Sequence, residues 1–543
     1  MFACKNCGGN IIYDIKSKKL ICNICNSSFE PESITKENDS VDYDYFETTI
    51  FTCPQCGAKI LCEDNEASSF CTYCSSSTVL TSRISKEKKP DYIIPFEKTK
   101  AECIEEYKKI TKKAIFAPSE FRKDSQLDKF KAIYMPYWCY NVTQDNDEFD
   151  VTGLELYREG DSMLTSYYTI NGQVKGEYKG ICKDASYNLS DDLSERIAPF
   201  FIKERKKFYP SYLSGFYADV SDVPSEVYEY EAVRSANDVA REVLQGEAAR
   251  GEYDKIKVYL SDDQATEQFK TTVDAKKALF PIWFLSFKQK KKVAYVTVNG
   301  QTGVAAADLP VSIAKYLIAI LLATVVFFLP SAFLLFLFYE RASYAFMNVA
   351  LILSAFTLIL YYIEIRRMQI KETDSEDAGK FFKKYGVVYI KSKEKHTTLK
   401  NFVSVYKTDI ITFAMYPVVL GIYIWSISSI FAAYDVLGIL IRMLFIIGNI
   451  IIALIGFIRS ISFKNTSRFY GILGGIGALA ITAVLQITGA RNPIAMMVGG
   501  IALTIGGFLT VFDLIRYHNE LSTRKPPHLK DRGGDEIADT YNM

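Results

Sequence analysis

The sequence predicts a multidomain protein with two N-terminal zinc ribbons, a cytosolic α+β domain and an all-α polytopic membrane domain of six helices. Two observations predict this organisation. Four Cys-x-x-Cys pairs lie within the first 74 residues, whereas long apolar runs are confined to residues 316–515. At 543 residues the chain is also longer than one ordinary domain, so several folded units are expected.

The paired cysteines form a duplicated unit, because the same arrangement of two pairs occurs twice, 49 residues apart. The two sets are Cys4, Cys7, Cys22 and Cys25, and then Cys53, Cys56, Cys71 and Cys74. Gly8 and Gly57 follow the first pair of each set, where a left-handed backbone lets amide groups turn toward the thiolates. Four thiolates at this spacing bind a tetrahedral metal ion, so two structural Zn²⁺ ions are expected. The same ligands also bind iron, which stays an alternative.

The predicted boundaries are residues 1–30 for the first ribbon, 31–50 for an acidic linker and 51–82 for the second ribbon. A closed site of four cysteines leaves no position for water or substrate, so both ions are expected to be structural and not catalytic. A domain of about 30 residues has too little core to fold alone, so the metal is expected to supply most of its stability. Cys62 aligns with Tyr13 in the repeat and is expected in a strand, away from the metal.

The charge of the ribbons argues against nucleic acid as a partner. The whole chain has a formal net charge of +1, and residues 1–82 carry five more acidic than basic side chains. Binding to nucleic acid depends on clustered cations that release counterions from the phosphates. The ribbons are therefore expected to bind proteins.

Residues 90–310 are predicted to form the α+β domain. Thr99 and Glu102 have the spacing of a capping box, which marks the start of a helix. Asn171-Gly172 and Asn299-Gly300 are typical of tight turns between antiparallel strands. The other predicted elements are a helix that ends near residue 113, a strand over 132–142, and helices over 191–197 and 232–247.

No catalytic constellation is recognisable in the predicted α+β domain. The three histidines of the chain are His396, His518 and His528. All three lie outside that domain, which excludes a histidine triad or a histidine–metal site within it. The chain is therefore predicted not to be an enzyme, with no catalytic residue and no cofactor besides the metal ions.

Six apolar runs predict the membrane domain. The predicted spans are Tyr316–Tyr339, Tyr344–Ile363, Ile410–Ala433, Val436–Ile458, Tyr470–Ile487 and Ile494–Phe512. Each is near the ~20 residues that cross the hydrocarbon core of a bilayer. Lysine and arginine side chains number 19 in the connections on one side and two on the other. The positive-inside rule then predicts a multi-pass protein of the cell membrane with cytoplasmic N- and C-termini, residues 516–543 being a polar cytosolic tail.

Polar groups inside the predicted spans are few. Arg442 and Asn449 both lie in the fourth span, where a charged or amide side chain is costly unless it is paired. A transporter or channel needs polar groups along a path across the bilayer. Two side chains give that alternative little support.

Several motifs beyond the cysteines carry a family resemblance. They are Pro90–Phe96, Tyr134–Trp138, Tyr212–Asp219, Phe280–Trp283 and Asn299–Gly303. Over residues 1–310 the chain resembles a family of bacterial membrane-associated proteins with zinc ribbons of the transcription-factor-IIB type. The resemblance implies a protein without enzymatic activity, associated with membrane proteins of the phage-shock type and the flotillin type. It also implies that the eight ribbon cysteines are the metal ligands.

The expected function is that of a non-enzymatic zinc-ribbon membrane protein. It would act as a cytosol-facing adaptor or scaffold that recruits protein partners at the lipid bilayer, in envelope maintenance or stress. The alternative is a transporter or channel with a zinc-ribbon regulatory head. A membrane-tethered nucleic-acid binder is the least favoured interpretation, because the ribbons are acidic.

Overall fold

The structure is a computed structural model of the whole chain. It describes residues 2–34, 45–62, 71–75, 81–160, 162–248, 255–289, 292–319, 353–365, 436–461, 470–488 and 492–523, and a few single residues between 322 and 378. Of the predicted membrane spans, Tyr316–Tyr339 lies largely outside the described residues and Ile410–Ala433 lies entirely outside them.

The first ribbon is a small antiparallel sheet. Its strands are β1 (Ile11–Asp14), β2 (Lys19–Cys22) and β3 (Ser28–Phe29). Ile11 and Leu20 are fully buried. Such short strands cannot form a stable sheet on their own, so the ribbon depends on a metal ion or on packing against another unit.

The second ribbon is part of a twelve-stranded sheet that continues into the α+β domain. Its strands are β4 (Tyr45–Thr52), β5 (Lys59–Cys62) and β6 (Thr81–Lys88). Strand β11 (Tyr217–Asp219) pairs with β5 on one side and with β8 (Lys131–Glu159) on the other. β4 begins at Tyr45, within the stretch predicted as an acidic linker. Backbone hydrogen bonds therefore join the second ribbon to the domain.

The centre of the large sheet is formed by two long antiparallel strands, β8 and β13 (Thr271–Gln289). The remaining strands are β7 (Tyr92–Ile93), β9 (Ser162–Asp184), β10 (Lys206–Lys207), β12 (Lys257–Tyr259), β14 (Lys292–Asn299) and β15 (Ala305–Ala307). The pairing places Pro281 opposite Tyr134 and Pro136 opposite Leu279. The motifs Tyr134–Trp138 and Phe280–Trp283, each of which contains the pattern Pro-x-Trp, thus lie side by side.

The two Asn-Gly dipeptides have different roles. Asn299 ends β14, and its side-chain oxygen accepts a hydrogen bond from the backbone N–H of Gln301 at 2.9 Å, so the predicted turn is confirmed there. The turn predicted at Asn171-Gly172 is wrong, because both residues lie inside β9, and the turn between β8 and β9 lies at Gly160. A Cβ on Gly172 would come within 3.0 Å of the Phe149 ring. Glycine is needed there to make room for an aromatic side chain.

Helices cover the sheet. They are α1 (Lys100–Lys113), α2 (Asp124–Leu127), α3 (Asp191–Arg196), α4 (Glu226–Ala248) and α5 (Asp262–Gln268). The capping box is confirmed, since the backbone N–H of Thr99 donates to the Glu102 carboxylate at 2.8 Å and the Thr99 hydroxyl accepts from the Glu102 N–H. This reciprocal bonding satisfies two amide groups at the helix start and fixes where α1 begins.

An aromatic cluster packs on the face of the sheet that contacts the first ribbon. Phe96 stacks on Phe216 with 4.8 Å between ring centroids, and it meets Tyr134 and Trp283 edge-on at 5.0 and 5.6 Å. These four residues belong to four separate sequence motifs. A Cβ on Gly300 would come within 2.6 Å of the Phe96 ring, so the turn after β14 requires glycine for packing.

The prediction of a six-helix all-α membrane domain is wrong for the described part of the chain. There, one helix, Pro493–Leu521, is long and apolar enough to cross a membrane. The apolar stretches found in the other described helices, Leu353–Ile365, Ile446–Ile458 and Gly471–Leu485, have 10–17 residues, fewer than the ~20 that span the hydrocarbon core. The predicted multi-pass location, with cytoplasmic N- and C-termini, was derived from the six spans. It is therefore wrong for the described part of the chain as well.

The reason for this error is that hydropathy does not distinguish a helix that faces lipid from one that packs against other helices. Glycines on the helix Tyr470–Thr488 lie directly against Pro493–Leu521. A Cβ on Gly471 would come within 2.1 Å of the Leu509 backbone oxygen, and one on Gly475 within 2.9 Å of the Thr510 hydroxyl. The glycines in this region therefore lie at a contact between helices, while large apolar side chains such as Ile487 and Ile501 are exposed.

The C-terminal end of Pro493–Leu521 contacts the α+β domain. The Asn519 side chain bonds both backbone groups of Val311: its oxygen accepts from the N–H at 2.6 Å, and its amide donates to the carbonyl at 2.9 Å. The His518 ring lies 3.2 Å from the Leu309 carbonyl oxygen. The amide of Asn519 thus imitates a strand pairing and ties the last segment of the domain to the long helix.

Candidate metal centres

The first four paired cysteines come together as one cluster. The sulfur atoms of Cys4 and Cys25 are 3.6 Å apart, and those of Cys7 and Cys22 are 3.5 Å apart. All four lie within 4.8 Å of one another. A tetrahedral site with metal–sulfur bonds of about 2.3 Å has neighbouring sulfurs about 3.8 Å apart. The donor set and its spacing therefore fit a metal ion held by four thiolates.

The second four cysteines form a matching cluster. Cys53 and Cys74 have their sulfurs 3.8 Å apart, as do Cys56 and Cys71. The arrangement is the same in both clusters: the first cysteine of the first pair lies next to the last cysteine of the second pair, and the other two cysteines lie next to each other. Among the described residues there are thus two clusters of this kind, each able to hold one metal ion, and Cys62 belongs to neither. Cys62 lies in strand β5, as expected.

Tight turns follow the first cysteine pair of both clusters. Gly8 and Gly57 both have φ of +73°, the left-handed conformation that the sequence predicted for them. The backbone N–H of Asn6 points at the Cys4 sulfur at 3.4 Å, and that of Ile24 points at the Cys22 sulfur at 3.4 Å. Amide dipoles aimed at sulfur stabilise a thiolate, which is the form that binds metal.

We call each Cys-x-x-Cys pair, with the residues between its cysteines, a knuckle. The turn after the second knuckle of each ribbon is made by a residue other than glycine. Asn26 and Ser75 have φ of +55° and +53°, so each follows its knuckle in the left-handed region without being glycine. Sequence reasoning did not identify these positions. The sequence did contain one signal for them: the 49-residue offset of the repeat aligns Asn26 with Ser75, and each directly follows the last cysteine of its ribbon.

The two clusters differ in their exposure. Cys7 and Cys25 of the first cluster are exposed, whereas all four cysteines of the second are buried. Hydrogen bonds with the Ser27 side chain and backbone lower the pKa of Cys25 to about 6. In the second cluster, hydrogen bonds from Cys56 to Cys71 and Cys74, together with burial, hold the pKa of the Cys56 thiol well above its usual range. A cation is what allows four such thiolates to coexist in a buried site.

The second cluster is buried because its last knuckle is inserted into the sheet. Tyr73, between the ligands Cys71 and Cys74, is fully buried and meets Phe284 of β13 edge-on with ring centroids 5.3 Å apart. The hydroxyl of Ser286 donates to the Thr72 carbonyl at 2.5 Å. The knuckle is thus held to a central strand of the domain by packing and by hydrogen bonds.

A buried carboxyl group lies beside this knuckle. Asp219, at the end of β11, accepts hydrogen bonds from the Ser186 hydroxyl, from the Asn188 amide at 3.2 Å and from its neighbour's backbone N–H. Burial, reinforced by the negative charge of Asp222, raises the pKa of Asp219 to about 7. Asp219 is the last residue of the motif Tyr212–Asp219, but the sequence analysis assigned no role to its carboxyl group.

The first ribbon docks on a separate part of the domain, the 3-10 turn Pro210–Leu213 and the residues after it. The Tyr13 N–H donates to the Ser214 carbonyl at 3.1 Å, and the Tyr13 ring lies 5.6 Å from that of Tyr212. A Cβ on Gly215 would come within 2.2 Å of the Ile12 side chain. These contacts cover one side of the ribbon. Ile24, between Cys22 and Cys25, lies away from the contact with the domain and is 73% exposed.

The polar residues predicted within the membrane spans are placed only in part. Asn449 is buried in the helix Val436–Ile461. Arg442 lies in the same helix, but its side chain is outside the described residues.

No protein-family model matches the chain, and no solved structure matches it. The chain is 30% identical over 321 residues to a protein of Bacillus subtilis (strain 168) described as "Uncharacterized protein YdjG". The aligned region covers 58% of this chain and 91% of that relative. With nearly the whole relative aligned at this identity, the chain belongs to the same family as YdjG of Bacillus subtilis.

Proposed function

We propose that the protein is a non-enzymatic zinc-binding adaptor, in which the first ribbon binds a protein partner and the second ribbon stabilises the domain. The observation that carries the proposal is the difference in exposure between the two clusters. All four cysteines of the second cluster are buried, and Tyr73 between two of them packs against Phe284 of the sheet. The first presents an apolar side chain, Ile24, between its two last ligands Cys22 and Cys25.

Zinc is the metal we propose for both clusters. A closed set of four thiolates with this spacing is typical of structural zinc, and such a site offers no open coordination position for catalysis. The first ribbon also has the features of an interaction module, because a metal-stabilised knuckle holds an apolar side chain in a fixed position without the entropic cost of ordering a loop. The partners we propose are membrane-associated proteins, including those of the phage-shock and flotillin types.

Two alternatives are weaker. The transporter or channel depended on a six-helix membrane domain, which the described part of the chain does not support. A nucleic-acid binder would need a cationic surface, whereas residues 1–82 carry an excess of acidic side chains.

Metal analysis of the full-length protein, purified without chelator, tests the zinc assignment. We expect close to two equivalents of zinc per chain and no visible absorption from ferric thiolate. A metal content near zero would contradict metal binding, and two equivalents of iron would replace zinc by the alternative.

Affinity capture with matched variants tests the adaptor function. Ile24→Asp places a charge at the tip of the exposed knuckle and should abolish recovery of the partner without loss of zinc. Ile115→Asp is the control, because Ile115 is 65% exposed but lies outside both ribbons in the sequence. If both variants recover the same proteins as the wild type, the first ribbon is not the binding module.

A further inference from the structure

Two cysteines outside the metal clusters lie directly opposite each other in the large sheet. Cys139 of β8 pairs with Cys182 of β9 in the antiparallel register. Their sulfur atoms are 2.7 Å apart. Directly opposed residues of antiparallel strands have Cα atoms about 4.5–5.5 Å apart, which lies within the range of about 4.4–6.8 Å that disulfides span. The two thiols are therefore already in position to be joined.

The surroundings of the pair keep it in that position. Cys139 is opposite Lys276 of β13 as well as Cys182 of β9, so its strand is held on both sides. Cys139 is buried, whereas Cys182 is only partly buried. A small oxidant from solvent therefore reaches Cys182 first, and the resulting species meets Cys139 without any movement of the backbone.

We propose that Cys139 and Cys182 are a redox modification site, at which a peroxide forms a reversible cross-strand disulfide. The Cys182 thiolate attacks one peroxide oxygen and the O–O bond breaks, which gives a sulfenic acid and hydroxide. The Cys139 thiolate then attacks the Cys182 sulfur, the S–O bond breaks, and a second hydroxide leaves. Together the two sulfurs lose two electrons, which reduce hydrogen peroxide, and the two thiol protons convert the two hydroxides to water.

The disulfide would fix one particular part of the sheet. The register of β8 and β9 shifts between Tyr140 and Asn141, one residue beyond Cys139. Beyond this irregularity the two strands continue to the turn at Gly160. A covalent bond at this point ties the base of the hairpin to the central strands. A thiol reductant restores the two free cysteines.

Mass spectrometry of the full-length, metal-loaded protein tests the proposal. Treatment with hydrogen peroxide, followed by alkylation of the remaining thiols and digestion with trypsin, separates the two cysteines into peptides 132–158 and 180–183. We expect these peptides to be recovered mainly as one cross-linked species that lacks two hydrogens, and as separate alkylated peptides after dithiothreitol. Recovery of both as separate alkylated peptides after peroxide treatment, or their linkage to ribbon cysteines instead, would overturn the proposal.

Two variants control the assignment. Cys182→Ser should remove the cross-linked species, while Cys103→Ser, a change of a buried cysteine in α1, should leave it unchanged. Zinc content of each variant under reducing conditions shows whether the metal clusters are intact. If Cys103→Ser removes the linked peptides as completely as Cys182→Ser, the specific pairing is wrong.

Discussion

Tyr73 of the second cysteine cluster lies edge-on against Phe284 of the central strand β13, with 5.3 Å between the ring centroids. Tyr73 lies between Cys71 and Cys74 of the cluster, whereas Phe284 lies in the middle of the α+β domain. The second cysteine pair of this ribbon, with Tyr73 between its cysteines, is therefore a part of the domain core. This contact, more than the shared cysteine pattern, distinguishes the second ribbon from the first.

The two clusters should respond differently to loss of one ligand. Cys71→Ser should lower the unfolding temperature of the whole domain by about 10 °C or more, because the metal is bound within its core. Cys22→Ser should lose one zinc equivalent and unfold the first ribbon, with little effect on the main transition. Metal analysis and differential scanning calorimetry of both variants measure this. Equal losses of stability would show that the ribbons are equivalent.

Truncation of the buried Tyr73 side chain should lower the stability of the domain. Tyr73→Ala removes a fully buried aromatic side chain and should lower the free energy of unfolding by about 3–5 kcal/mol. Tyr45→Ala is the matched control, because Tyr45 is in strand β4 of the same ribbon but is 46% exposed. Its effect should be below about 1 kcal/mol. Denaturant titration of both variants gives the comparison, and similar losses would contradict the insertion of the knuckle into the core.

The buried carboxyl group of Asp219 should make stability depend on pH. Its pKa is raised to about 7 in the folded protein from an ordinary value of 3.8, so the folded state binds the proton more tightly than the unfolded state. This contribution to stability is complete below pH 4 and is lost as pH rises to 7, by up to about 4 kcal/mol.

Asp219→Asn removes the titrating group. The stability advantage of the wild type over this variant should therefore shrink as pH rises from 5 to 7.5, measured as the difference in the free energy of unfolding. The comparison between two proteins with the same cysteines cancels the pH dependence of metal binding. A constant or growing advantage with pH would contradict the raised pKa.

The contact between the last two helices should tolerate no side chain at Gly471. Gly471→Ala would place a methyl group against the Leu509 backbone and should lower stability by about 1–3 kcal/mol. Gly477→Ala is the control in the same helix, since nothing lies within 4 Å of the added Cβ there. It should be neutral or stabilise by up to about 1 kcal/mol. Thermal unfolding in detergent distinguishes the two, and equal effects would argue against the helix contact.

The metal clusters and the start of α1 could be predicted because both depend on residues close together in the chain. The spacing of Cys4 and Cys7 is enough to bring two thiolates to one ion, and Thr99 and Glu102 satisfy each other's amide groups within one helical turn. By contrast, the turn predicted at Asn171-Gly172 failed because the pairing of β8 with β9 continues through it. Long-range pairing and room for the Phe149 ring decided that position.

The amino-acid sequence by itself determined which eight cysteines form two groups of four, and that a region rich in apolar residues follows a polar one. Tertiary structure alone decided that Tyr73 and Asp219 lie in one buried cluster, that the second ribbon is continuous with the domain sheet, and that Gly471 packs against Leu509. The physical reason is that thiolate spacing and mean hydropathy are local properties. Burial depends on which distant surfaces meet, and the same apolar run serves equally well to face lipid or another helix.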